Sequence, residues 1–238
     1  MKGRRPVVTI DGPAGAGKST VSRALAERLG FTYLDTGALY RTVALAASRD
    51  GDLSPLVDRS EDPGGLPAEV RGALGRLAAS LPIRLEDGGR RVLLGAEDVS
   101  REIRRPEMSE RASRVSAIAE VRAGLLDLQR RLGAAGGVVI EGRDVGTIVF
   151  PAAEVKFYLT ADAACRARRR TLELRERGFE ADEEATRRDI EARDARDSGR
   201  TVAPLRRPEG AVEIDSGPLS AEEVVERMTA VVRSRESS

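Results

Sequence analysis

The sequence predicts a three-layer α/β fold around a central parallel sheet. Two observations carry this. Short β-branched runs alternate with helical patterns from Val7 onward, and Val138-Val139-Ile140 is a continuous apolar run of the kind buried on both faces of a parallel sheet. A third observation is the break in this alternation over residues 52–105, where a hairpin pattern marks an insertion with antiparallel pairing.

Each element follows from local pattern. Val7 to Ile10 reads as a strand; a glycine-rich turn follows, then an amphipathic stretch from Ser19 to Leu29 that Gly30 closes. Phe31 to Leu34 is a second strand, leading through Asp35-Thr36-Gly37 into a helix that runs through Ala47. Asp52 to Pro67 is rich in Pro, Gly and acidic residues, and a helical stretch then runs to Leu81. Ile83 and Leu85, then Val92 and Leu94, alternate around Asp87-Gly88-Gly89 as the two arms of a hairpin. Helical periodicity from Glu107 to Leu132 precedes the Val138 strand, which ends in Glu141-Gly142-Arg143-Asp144. Val155 to Leu159 is the next strand. Asp162 caps a long polar helix carrying Arg166, Arg168, Arg169, Arg170, Arg175 and Arg177, and Gly178-Phe179 is the bend of a helical hairpin. Val212 to Ile214 is the last strand. Ser220 and Glu223 form a capping box for a final helix that presents Val224, Met228, Val231 and Val232 on one face.

Composition removes several classes. The chain has 238 residues, one cysteine and no histidine, so it has no disulfide framework, no Cys/His metal site and no imidazole base. Cys165 reads as inert core. Any metal must be held by oxygen atoms. With 40 basic and 39 acidic residues the net charge is +1, which argues against a nucleic-acid partner held by overall positive charge. No apolar run reaches the length of a signal segment or membrane span, so the expected form is a cytoplasmic single domain with no membrane partner.

Gly12-Pro13-Ala14-Gly15-Ala16-Gly17-Lys18-Ser19 matches G-x-x-x-x-G-K-[ST] and lies where the mechanism needs it, between a hydrophobic strand and a helix start. Backbone N–H groups and the helix N-terminus cradle a phosphate chain there. Lys18 then bridges the β- and γ-phosphates of ATP, and the Ser19 hydroxyl takes a Mg2+ position. Of the basic residues only Lys2, Lys18 and Lys156 are lysine, so a lysine at this one position is informative.

The scarcity of lysine excludes the Asn-Lys-x-Asp segment of a guanine-reading switch. A kinase for an alcohol benefits from a carboxylate base, for which Asp35 is the candidate. A nucleoside monophosphate instead offers an already ionised phosphate, which suits a chain without histidine. Gathering two polyanions needs several planar arginines, and Arg41, Arg143, Arg193 and Arg200 lie on separate segments. On the residues alone, a hydroxyl-acceptor kinase and a P-loop binding or switch protein stay open beside the monophosphate kinase. Bland readings stand too. Arg169, Glu173 and Arg177 have the spacing of a solvated helix face, and Asp197 and Arg200 that of a helical ion pair. Glu141 and Asp144 can be caps at a strand end, but the C-terminal end of a parallel strand is where such folds place ligands, which favours a functional role.

Five segments together resemble the bacterial cytidylate kinases over nearly the whole chain. They are Thr-Ile-Asp-Gly-Pro-Ala-Gly-Ala-Gly-Lys-Ser-Thr at 9–20, Leu-Asp-Thr-Gly-Ala-Leu-Tyr-Arg at 34–41, Glu-Asp-Val-Ser-Arg-Glu-Ile-Arg at 97–104, Glu-Gly-Arg-Asp-Val-Gly-Thr-Ile-Val-Phe-Pro at 141–151, and Arg-Asp-Ala-Arg-Asp-Ser-Gly-Arg at 193–200 before Ala-Pro-Leu. The resemblance implies a P-loop kinase fold of residues 1–238 with a core (1–51, 106–161, 187–238), a monophosphate-binding insertion (52–105) and a helical lid (162–186). It implies transfer of the γ-phosphoryl of ATP, with Mg2+, to CMP and dCMP by a monomer. The ATP-binding residues so implied are Gly12 to Thr20 with Arg166 and Arg169 of the lid, and the catalytic ones Lys18, Arg143, Arg193 and Asp35. For CMP they are Ser113, Arg122 and Asp144 at the cytosine, Arg41, Arg143 and Arg193 at the phosphate, and Asp197 and Arg200 at the ribose, with Thr36 and Tyr40 beside them. Thr36 stands where related sequences often carry serine. An Asp at the base makes chemical sense, since the exocyclic amine of cytosine donates where uracil presents an acceptor.

Overall fold

A computed structural model describes residues 4–59 and 63–236 of the chain. Lys2 and residues 60–62 of the Pro- and Gly-rich stretch lie outside them. In chain order the elements begin with β1 (Val7–Asp11), α1 (Lys18–Leu29), β2 (Thr32–Asp35), α2 (Thr36–Arg49), α3 (Ser54–Arg59) and α4 (Ala68–Ser80). Then come β3 (Ile83–Glu86), β4 (Arg91–Leu94), β5 (Glu97–Asp98), α5 (Pro106–Val115), α6 (Ala119–Gly133) and β6 (Val138–Gly142). A single π-helical turn, Val145–Val149, precedes β7 (Val155–Thr160), α7 (Ala163–Glu176), α8 (Glu183–Gly199), β8 (Val212–Asp215) and α9 (Ala221–Glu236).

The parallel sheet has the order β2-β6-β1-β7-β8. Its central strand, β1, is buried along its whole length and pairs in parallel with both neighbours, Val8 opposite Val139 on one side and Val155 on the other. Burial on both faces is why the strand is a run of β-branched residues, apolar but for Thr9, up to Asp11. A polar C-terminal end at such a strand is where open α/β sheets carry their ligands.

Packing divides the chain into two compact units, Met1–Tyr33 with Ala135–Ser238, and Leu34–Ala134, the division falling inside β2. In the first, Val8, Ile10, Val139, Phe157 and Leu159 of the sheet pack with Leu25 of α1 and Val224, Met228 and Val232 of α9. In the second, Leu39 and Val43 of α2, Leu74 of α4, Val92 of β4 and Leu125 of α6 form a separate core. β3 and β4 make the hairpin expected there, Leu85 opposite Val92 in antiparallel register, and Glu97–Asp98 adds a short third strand.

Three expectations need correction. The periodic stretch from Glu107 to Leu132 is two helices, broken at Ser116–Ile118, where Ile118 is extended and fully buried. Met108, Ala112 and Val115 face the same core as Val121 and Leu125, so apolar spacing alone runs through the break. Ser54–Arg59 forms a turn and a half of helix inside a segment rich in helix breakers. Cys165 is half-buried in the first turn of α7 rather than in the core, its N–H donating to the Asp162 cap at 2.7 Å.

Candidate active site

The loop between β1 and α1 is built by close approach. At Gly12, φ is +150°, and a Cβ would stand 2.1 Å from the Leu159 carbonyl oxygen, so only glycine lets the chain pass β7 here. Three loop carbonyls are engaged by side chains: Pro13 accepts from Lys18 Nζ at 2.6 Å, Ala14 from Arg166 at 3.0 Å and Ala16 from the Ser216 hydroxyl at 3.0 Å. The Ala14 N–H donates to Asp194 at 3.4 Å, and Arg166 also pairs with Asp194. Arg169 donates twice to Ser216, at 2.9 and 2.6 Å. Both lid arginines expected at ATP are thus brought to the phosphate loop, Arg166 beside Ala14 and Gly15 and Arg169 beside Gly17.

Other arginines along α7 pair with acidic neighbours instead. Arg170 and Arg177 pair with Glu173 and Arg168 reaches Glu183 at 4.0 Å, as a solvated charged surface does. Lys18 is buried. Desolvation, with Arg143 and Arg193 nearby, lowers its pKa well below the ordinary lysine value, while Glu141 and Asp11 work in the opposite direction. Glu141, at the end of β6, accepts from the Tyr33 hydroxyl.

A second array surrounds Asp197 on α8, which is fully buried. Its carboxylate accepts from Arg143 Nε at 3.0 Å and from Arg200, with Arg193 Nε at 3.9 Å. Burial pushes its pKa up, and the three arginines outweigh this and hold it below the usual value. The pair Asp197 and Arg200 is therefore the hub of an arginine cluster rather than a surface pair. It holds two of the expected phosphate contacts, Arg143 and Arg193. Asp144 is buried at the start of the π turn, with the unusual backbone φ −146°, ψ 21°, and its side chain does not cap that turn.

The remaining expected residues belong to the second unit. Asp35 caps α2, accepting from the Ala38 N–H at 3.1 Å, and pairs with Arg41 at 2.6 Å. Burial raises its pKa, but Arg41, the Ala38 N–H and Arg104 together hold it below the ordinary value. Thr36 and Tyr40 are buried on the same helix, and Arg122 lies over the Tyr40 ring at 5.4 Å while donating to Ser116 O at 3.1 Å. The Ser113 hydroxyl is buried and, among the described residues, has no hydrogen-bond partner. The buried hydroxyls of Thr9, Ser22 and Thr171 share this state.

The profile of the cytidylate kinase family matches residues 8–234. The chain belongs to the cytidylate kinase family. A protein of Syntrophotalea carbinolica named cytidylate kinase is 49% identical over 235 residues, covering 98% of this chain and 94% of that one. One of Geobacter sulfurreducens with the same name is also 49% identical over 235 residues, covering 98% and 96%. A third, from Caldanaerobacter subterraneus, is 45% identical over 226 residues, covering 95% and 94%. Among the described residues no helix is long and apolar enough to cross a membrane.

Sequence reasoning did not single out Asp194, Ser216 or Asp11. Asp194 and Ser216 hold the phosphate loop. Glu141, expected at the strand end as a cap or a functional group, accepts from Tyr33 and acts electrostatically on Lys18. Asp11, fully buried at the end of β1, accepts from the Val145 and Gly146 N–H groups at 2.8 and 2.7 Å. Only Asp11 carried a sequence signal: an acidic residue closing an apolar strand directly before the glycine-rich turn.

Proposed function

We propose that the chain transfers the γ-phosphoryl group of ATP to CMP and dCMP, giving ADP with CDP or dCDP. The observation that carries this reading is the arginine cluster around Asp197. Arg143 and Arg200 are hydrogen-bonded to one buried carboxylate and Arg193 lies 3.9 Å from it, an arrangement that offers preorganised positive charge to phosphate. Asp35 speaks against a hydroxyl acceptor. An aspartate paired with Arg41 and held below its ordinary pKa is a poor general base, and histidine is absent.

The acceptor phosphate needs no base, because one of its oxygens is already ionised. That oxygen attacks the γ-phosphorus in line, the bond to the β–γ bridging oxygen breaks, and ADP leaves with the electron pair. Lys18 follows the β- and γ-phosphates, exchanging its contact with Pro13 for them. Arg41, Arg143 and Arg193 hold the acceptor phosphate. Asp144, Ser113 and Arg122 read the cytosine, and Asp197 and Arg200 reach the ribose, with Thr36 and Tyr40 alongside. Arg166 and Arg169 fix the loop that cradles ATP. A Mg2+ ion bound with ATP would supply neutralisation of phosphate charge. Ser19, exposed in the first turn of α1, would serve as its protein ligand through its hydroxyl. No cluster of three or more acidic or thiol groups occurs among the described residues, which fits a metal that arrives with its nucleotide. In this reading the enzyme acts as a monomer in the cytoplasm.

Incubation with CMP and ATP labelled in the γ-phosphate tests the transfer. The label is expected in CDP; label released only as inorganic phosphate would make the chain a hydrolase or switch.

A further inference from the structure

We propose that Asp11 is the positioning residue of the Arg143-Asp144 corner, holding the base-reading carboxylate on target from the neighbouring strand. The inference rests on the role given above to Asp144. It extends that role to a residue that touches no substrate.

The geometry starts from an unmet need. The first N–H groups of any helical turn have no acceptor within it and must find one outside. In the turn Val145–Val149 the natural supplier is the side chain of the preceding residue, Asp144, which does not cap it. A capping Asp144 would be turned back on its own backbone and lost to a ligand. Asp11 takes over the task. It closes β1 opposite Gly142 in the parallel register with β6, so it stands one strand away from the corner. Its two carboxylate oxygens accept one N–H each, from Val145 at 2.8 Å and Gly146 at 2.7 Å. These are the two amides that directly follow Asp144.

Close packing fixes the corner further. A Cβ on Gly146 would stand 2.8 Å from the Thr9 hydroxyl, 2.9 Å from Pro208 Cγ and 3.1 Å from Asp11 Oδ2, so glycine is what lets the turn settle onto Thr9 and Asp11. Thr9 and Asp11 share one face of β1, two residues apart, and both are fully buried. The corner therefore rests on the most deeply buried strand of the sheet, and an aim set there passes to Asp144 through one peptide unit. Burying a carboxylate is costly, and a residue needed for the fold alone could be apolar at this depth. The two charge-assisted bonds give its presence a purpose in orientation.

Asp11→Asn keeps the size but turns an amide donor toward one of the two N–H groups. Steady-state rates with CMP and UMP, measured with saturating ATP, test the proposal together with the double variant Asp11→Asn/Asp144→Ala. In Asp11→Asn we expect kcat/KM for CMP to fall about tenfold or more, the CMP-over-UMP ratio to fall with it, and the KM for ATP to stay within about twofold. In the Asp144→Ala background the same substitution should leave the ratio unchanged, because its effect runs through Asp144. Amide hydrogen exchange at Val145 and Gly146 should quicken in Asp11→Asn while the rest of β1 and β6 stays protected. Equal losses with CMP and UMP, a parallel rise in the ATP KM, or unchanged exchange at the two amides would overturn the proposal. A wild-type protein inactive on CMP would instead overturn the reading of Asp144 itself. The two failures are told apart by whether they appear in the wild type or only in the variant.

Discussion

Single carboxylates do much of the organising in this molecule. Asp197 gathers Arg143, Arg193 and Arg200, and removing one partner of such a buried group leaves the others uncompensated. Asp197→Ala is therefore expected to lower stability by roughly 3 kcal/mol and to cut kcat/KM for CMP on the order of 100-fold. Denaturant melts and steady-state kinetics check both, and a variant with wild-type kinetics would remove Asp197 from the site. Asp11 carries a pH signature. Burial pushes its pKa from 3.8 to about 6, with Asp144 adding to the rise and Lys18 and the Val145 and Gly146 N–H groups opposing it; Tyr158 also senses its charge. The folded state thus keeps this proton to a higher pH than the unfolded chain does. The stability it contributes is present below about pH 4, is lost as pH rises toward 6, and leaves a cost of up to about 3 kcal/mol above that. Asparagine has no such dependence. Melting temperatures of Asp11→Asn and wild type should shift in the variant's favour by more at pH 7.5 than at pH 5. A difference that stays constant across that range would mean the aspartate does not titrate there.

At the scale of elements, α7 works as two helices in one. Arg166 and Arg169 reach the phosphate loop and Ser216, while Arg170 and Arg177 pair with Glu173 along the helix and Arg168, on the opposite face, reaches Glu183. Arg166→Ala is expected to raise the KM for ATP about tenfold, the loss of a charge-assisted contact, whereas Arg168→Ala should stay within about twofold. Equal effects from the two would dissolve the distinction between the faces. Spacing could not separate these arginines, because Arg166, Arg169 and Arg170 share one helical neighbourhood and only tertiary partners divide them. β1 and β6 were legible because burial on both faces writes them as β-branched, mostly apolar runs, and the Ser220–Glu223 capping box forms as its residues predict, with bonds of 2.8 and 3.2 Å. The break at Ser116–Ile118 was not legible, since the apolar spacing continues across it.

For the whole molecule, contiguous motifs made the phosphate loop readable and the family resemblance made the acceptor residues nameable. What escaped were contacts between distant parts of the chain. Asp11 and Val145 are 134 residues apart, and Ser216 reaches Ala16 across 200. Nothing local at either end announces such a partner. The same long-range contacts tie catalysis to the sheet, so specificity for the acceptor base is expected to reside in a few buried groups rather than in overall charge, which is close to zero. The decisive measurement is ADP release from Mg2+ and ATP with CMP, dCMP, UMP, AMP, GMP and dTMP in turn, for the wild type and Asp144→Ala. Turnover concentrated on CMP and dCMP, with discrimination against UMP eroded in the variant, is the result predicted here. A wild type that turns over none of the monophosphates, or all of them alike, would contradict it.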